Sequence, residues 1–100
     1  YTNEQNLEVD IGIAVLVVIL GFLFKISVSE WAILTITVGL VISFELINTA
    51  LEAVVDLITD KYHPLAKVAK DTSAAAVLIL AIVSIIEGLI IFLPKIISLF

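Results

Sequence analysis

The chain contains no cysteine, no methionine and no arginine. Without cysteine, neither a disulfide framework nor a thiolate metal centre can form. Without an initiator methionine, Tyr1 is read as lying downstream of the translational start, or as the product of trimming or redesign. Positive charge is scarce, five lysines against ten carboxylates for a formal net charge of −5. That balance argues against a nucleic-acid partner and against simple adhesion to anionic lipid. No basic n-region with a small-residue cleavage site precedes the first apolar run, so no signal peptide is read. A GxxxxGK[ST] phosphate loop is missing too, which excludes P-loop chemistry.

What the chain has in excess is apolar surface. Of its 100 residues 62% are hydrophobic and the mean hydropathy is +1.27, where a soluble domain keeps about 45–50%. Two of the apolar stretches approach or exceed the roughly 18 residues that mark a spanning helix, and three spans are read. The first covers about residues 9–26, around IGIAVLVVILGFLF. The second covers 31–58 and is interrupted by no proline and by one glycine, Gly39. The third covers 74–94, from AAAVLILAIVSIIEGLIIFL to a stop at Pro94. The expected fold is therefore an all-α membrane protein, a single domain over 1–100 with three transmembrane helices.

Local signals mark the boundaries. Ser27 followed by Glu30 has the form of a capping box ahead of the second helix, and Trp31 stands where an interfacial aromatic anchor belongs. Pro64 disfavours helix at His63, so residues 59–73 read as a polar loop, with Thr72 and Ser73 capping the third helix. Lys61, Lys67 and Lys70 in that loop outnumber Lys25 and Lys95 on the other side, which places the loop and the N-terminus in the cytoplasm. Thr35, Gly39 and Ser43, and again Ser84 and Gly88, form small-residue strips that allow close helix approach. Three short spans enclose little interior, so an oligomer is expected.

The chemistry lies in ELINTALEAVVD, Glu45 to Asp56. Glu45, Asn48, Glu52 and Asp56 fall within roughly 80° on a helix wheel and form a stripe. Counted from Trp31, Glu45 lies about 21 Å along the helix and Glu52 about 31 Å. In a hydrocarbon core of about 30 Å the stripe climbs from within the membrane to the cytoplasmic water. Asn48 and Thr49 also fit plain interhelical hydrogen bonding, and Asp56 an ordinary solvated helix end. Two glutamates on one face, one of them below the interface, point to function. A proton channel would need such groups on both sides of the midplane, whereas a site joining a lipid headgroup to a soluble reagent needs them here. Glu87, far along the third span, is expected to snorkel outward or pair with a lysine such as Lys25.

The segments ELINTALEAVVD and YHPLAKVAKDTSAAAV resemble the small integral-membrane lipid kinases of bacteria, the prokaryotic diacylglycerol kinases and undecaprenol kinases. YHPLAK and GLIIFLPK lean toward the undecaprenol kinase branch. The resemblance extends from Asn3-Glu4 through the third span and implies a homotrimeric bundle with sites shared between protomers in the bacterial inner membrane. It implies Glu45 as general base, and Glu4 with Glu52 holding Mg²⁺ on ATP. It further implies Asn48 as support, Lys70 and Asp71 on the nucleotide, and Lys61, Tyr62 and His63 along its outer part, with Asp56 in a supporting place. The substrates would be ATP and a lipid alcohol, undecaprenol first and diacylglycerol second. The chain departs from this pattern in three ways. It begins after the basic surface helix usual in relatives. It carries Glu8 and Asp10 where relatives often have a basic residue and a histidine. Lys61 stands where some relatives are acidic. The rival readings are a small proton-coupled transporter and a purely structural or regulatory membrane peptide.

Overall fold

The computed structural model describes the backbone from Asn3 and the side chains from Leu7 to Phe100. The described residues form three helices and no strand: α1 (Asn3–Leu23), α2 (Val28–Ile58) and α3 (Pro64–Ile97). Helices α2 and α3 are each long and apolar enough to cross a membrane. At 1.5 Å per residue they run about 46 and 51 Å, against a hydrocarbon core of about 30 Å, so each projects into water.

The capping box at the start of α2 forms as its sequence predicts. The Ser27 amide donates to Glu30 Oε1 at 2.9 Å, and the Glu30 amide donates to Ser27 Oγ at 3.1 Å. The turn before it is tight. Lys25 takes a positive φ of 51°, and the Ile26 amide reaches back to the Gly21 carbonyl at 3.2 Å. This is a helix C-cap of Schellman form with a lysine in the place glycine usually fills. The apolar residue that follows, Ile26, is buried.

The largest departure from expectation is where α3 begins. It starts at Pro64, ten residues before the apolar run, and the 59–73 loop shrinks to 59–63. His63 is the N-cap, its Nδ1 accepting the Leu65 amide at 3.1 Å. Pro64 at the first helical position gives up an amide that would have no partner there anyway. LAKVAKD is made largely of good helix formers. Its polarity marks a helix standing in water, not a loop. Thr72 and Ser73 therefore lie inside α3 and cap nothing.

Nor does Pro94 end the helix, which runs on to Ile97. The Lys95 ammonium reinforces this turn by donating to the Ile91 carbonyl at 2.9 Å and to Glu30 Oε2 at 2.8 Å.

Helices α2 and α3 are antiparallel and joined by polar contacts at four levels: Glu30 to Lys95, Thr37 to Glu87, Asn48 to Ser73, and Asp56 to Lys70. Glu87 thus neither snorkels outward nor pairs with Lys25, because the buried Thr37 hydroxyl donates to it across the seam. Helix α1 packs more sparsely, through Val17 and Leu20, with Phe24 in the turn after it, against a small core of Ile26, Leu34, Ile91 and Phe92. Gly21 lies against the Trp31 ring, and a Cβ there would fall 2.5 Å from Cη2. By contrast Gly39 and Gly88 face open space, so the small-residue strips are not helix contacts within one chain. Most other large apolar side chains, Ile13, Val15, Leu46 and Leu78 among them, are exposed. That surface suits lipid or further copies, not water.

Candidate functional site

The polar stripe of α2 and the first three turns of α3 meet at the end of the bundle opposite the apolar core. Because α3 starts early, Lys70 and Ser73 stand one turn apart on a rigid helix facing α2. Lys70 Nζ donates to Asp56 Oδ1 at 2.6 Å. That hydrogen bond, opposed by partial desolvation and aided by the charge of Glu52, holds the ammonium above its ordinary pKa. Lys70 lies before the apolar run of α3, in its water-exposed part. It links Asp56 and Glu52 electrostatically.

Deeper along the stripe, Ser73 Oγ donates to Asn48 Oδ1 at 2.5 Å, and Asn48 Nδ2 faces Glu52 Oε1 at 3.5 Å. Glu45 is half-buried one turn further into the membrane. Its Oε2 is shielded from solvent and has no hydrogen-bond partner among the described residues; Asp10 Oδ2 in α1 is in the same condition. Thr49 takes no part in this network, donating to the Glu45 backbone carbonyl at 3.0 Å. A shielded carboxylate oxygen without a donor is costly unless a proton or ligand meets it.

A cleft of about 290 Å³ opens beside Asp56 and Lys70 at the mouth of the seam. Its wall also carries Lys61, Tyr62, His63 and Asp71, all expected at the site, together with Lys67. Tyr62, on that wall, is 80% exposed. Asp71 is bound by Lys67 at 2.5 Å within α3. Glu45, Asn48 and Glu52 precede Asp56 on the α2 stripe and do not line the cleft itself. The Glu4 side chain falls outside the described residues. Glu8 is exposed, away from these contacts.

Among the described residues no group of three or more carboxylates or imidazoles could hold a metal by itself. Glu52 fits a smaller part. It is a hard oxygen donor whose one side-chain hydrogen bond among the described residues comes from Asn48, the kind of ligand Mg²⁺ takes one or two of while keeping phosphate and water.

Comparison with known proteins identifies the family. The family model of prokaryotic diacylglycerol kinase matches residues 1–92. The chain belongs to the prokaryotic diacylglycerol kinase family. It is 52% identical over 93 residues to the undecaprenol kinase of Bacillus subtilis, covering 93% of this chain and 76% of that protein. It is 40% identical over 100 residues to a diacylglycerol kinase of Synechocystis sp., covering 99% of this chain and 57% of that protein. Against the diacylglycerol kinase of Escherichia coli the figures are 42% over 76 residues, 75% of this chain and 62% of that protein. The chain thus spans between about half and three quarters of these relatives.

Two participants were not legible as such in the sequence. Ser73 reads as a cap while α3 is taken to start at Ala74; with a start at Pro64 it falls one turn after Lys70 and faces α2. Lys67 counts only toward charge asymmetry until the helix puts it four residues before Asp71.

Proposed function

We propose that this chain phosphorylates a membrane lipid alcohol with ATP at the cytoplasmic surface, with undecaprenol the favoured acceptor and diacylglycerol the second. One observation carries the reading. A carboxylate on α2, Glu45, whose shielded Oε2 meets no hydrogen-bond partner among the described residues, shares a helix face with Asn48 and Glu52, and the same stripe leads to a cleft walled by Asp56 and Lys70. The greater similarity to a protein named undecaprenol kinase supports the order of acceptors. The chain would span three times, with α1 as the first span. It would assemble as a homotrimer in the bacterial inner membrane, the N-terminus and the Lys61–Lys70 end cytoplasmic. The open faces at Gly39 and Gly88 are consistent with neighbours supplied by other copies.

In this mechanism the lipid hydroxyl enters from the bilayer beside Glu45, whose carboxylate accepts its proton. The lipid oxygen forms a bond to the γ-phosphorus as the bond from phosphorus to the β–γ bridging oxygen breaks, and ADP leaves. No phosphoenzyme forms. Lys70 neutralises phosphate oxygens as a point charge, and Asn48 orients Glu52. Lys61, Tyr62, His63 and Asp71 hold the outer part of the nucleotide. Glu52, with Glu4, would hold Mg²⁺, which supplies neutralisation of phosphate charge when bound. Transfer of this kind depends mainly on positioning and electrostatics. A proton-coupled transporter would leave the Lys70 cleft without a role, and the family match lends that reading no support.

The test is ATP-dependent phosphorylation in mixed micelles offering undecaprenol and diacylglycerol together, with Glu45→Gln as control. Mg²⁺-dependent transfer that the substitution abolishes, with nucleotide binding retained, is the expected result. Absence of transfer to either lipid by a chain extended to the full length of its relatives would refute the kinase reading.

A further inference from the structure

We infer that Ser73 is a positioning residue, which through Asn48 holds Glu52 in the orientation needed to receive the metal–nucleotide. The inference rests on the kinase reading of this site and adds to it a residue from α3.

An asparagine amide has a donor end and an acceptor end, and rotation by half a turn exchanges them. Glu52 settles which end faces it. A carboxylate only accepts, so the group 3.5 Å from Glu52 Oε1 is the Asn48 NH₂. Asn48 Oδ1 therefore points the other way, toward Ser73 Oγ at 2.5 Å. Ser73 has one hydroxyl hydrogen and two acceptors in reach, Asn48 Oδ1 and the Lys70 carbonyl at 3.1 Å. Were the hydrogen given to Lys70, lone pairs would face each other across the 2.5 Å contact. The hydroxyl therefore donates to Asn48. The bond fixes the amide, and the amide presents a fixed donor to Glu52.

The placement matters because the bond from Asn48 to Glu52 is long and weak by itself. A free asparagine side chain would exchange rotamers and solvent partners, and Glu52 would lose its orienting donor. Ser73 is half-buried and sits one turn after Lys70 on α3. One turn of α3 thus supplies both the phosphate-binding cation and the hydroxyl that orders the carboxylate arm of α2. Any slide of α3 along α2 would disturb both at once.

The experiment uses the protein in lipid nanodiscs and reads Mn²⁺ binding in the presence of a non-hydrolysable ATP analogue, from the electron paramagnetic resonance signal of free Mn²⁺. Loss of one net hydrogen bond corresponds to roughly 3- to 10-fold in affinity. Ser73→Ala is expected to weaken Mn²⁺ binding by about that factor. Ser73→Thr, which keeps the hydroxyl, is expected to stay within about twofold of wild type. On an Asn48→Ala background, Ser73→Ala is expected to cost nothing more. Wild-type binding by Ser73→Ala overturns the inference, as does equal impairment of the Ala and Thr variants. So does an undiminished penalty on the Asn48→Ala background. Wild-type protein that binds no Mn²⁺ with nucleotide overturns the kinase reading and this inference with it.

Discussion

Lys70 Nζ lies 2.6 Å from Asp56 Oδ1, so the cation proposed to meet phosphate is held across the α2–α3 seam. Lysine carries a flexible stem and three donors, and one partner can fix it while others stay available. Both side chains are substantially exposed, 39% and 63%, which limits the energy of the pair. Asp56→Asn should therefore raise KM for ATP by only about 2- to 5-fold, with little change in kcat. Because the Lys70 pKa is raised above 10.5, the benefit of the pair is fully present below that value and fades only as pH climbs past it. A KM for ATP attributable to Lys70 should thus stay level through neutral and mildly alkaline pH. A KM that falls in Asp56→Asn would show the aspartate to be a competitor for the lysine and not its support.

The α1–α2 corner gives a second, purely steric prediction. Gly21 sits where an added Cβ would fall 2.5 and 2.7 Å from two atoms of the Trp31 ring. The ring is itself held against Phe22, centroids 5.0 Å apart. Gly21→Ala should cost about 1–3 kcal/mol by overpacking, read as a lower unfolding midpoint in detergent. Adding Trp31→Phe, which removes the clashing atoms, should recover part of the loss. An unchanged midpoint for Gly21→Ala would mean that the ring moves aside freely.

How much of this was legible beforehand follows from where the signals were local. The capping box is written in Ser27 and Glu30 alone, and the stripe Glu45–Asn48–Glu52–Asp56 follows from helical periodicity. Both read correctly. The start of α3 is less legible, because Pro64 and a polar composition read as loop while helix propensity and the N1 preference of proline point the other way. That ambiguity also hid Ser73. The partners of Glu87 and Lys95 were hidden for a different reason. They depend on the α2–α3 register, with Glu87 meeting Thr37 and Lys95 meeting Glu30, and register is a property of two packed helices together.

The Thr37–Glu87 contact invites a test of that register. Thr37 is buried and donates its hydroxyl to Glu87 within the membrane-spanning part of the seam. Removing one partner strands the other, whereas removing both leaves apolar packing. Thr37→Val should destabilise by about 1–3 kcal/mol. The double variant Thr37→Val with Glu87→Leu should return close to wild type, as judged by unfolding in mixed micelles. Additive losses in the double variant would mean that the two side chains do not act as a pair.

At the opposite end of the seam Glu30 ties the capping box to the C-terminus of α3. Its carboxylate accepts from Lys95 at 2.8 Å and from the Ser27 amide at 2.9 Å. Lying ahead of the apolar run, it is held below its ordinary pKa of 4.5, first by the Lys95 bond and then by the Ser27 amide. A lowered folded-state pKa places the stabilising effect above the unfolded value, and it disappears as pH falls from 4.5 through the lower folded value. The unfolding midpoint of wild type should therefore drop in that acid window. Glu30→Gln should start lower at neutral pH and show less of this dependence, since its amide has no proton to take up. Lys95→Ala should reduce the acid slope without abolishing it, because Ser27 still donates to the carboxylate. A wild-type acid slope in Glu30→Gln would assign the acid sensitivity to other carboxylates and leave Glu30 a cap whose charge is idle.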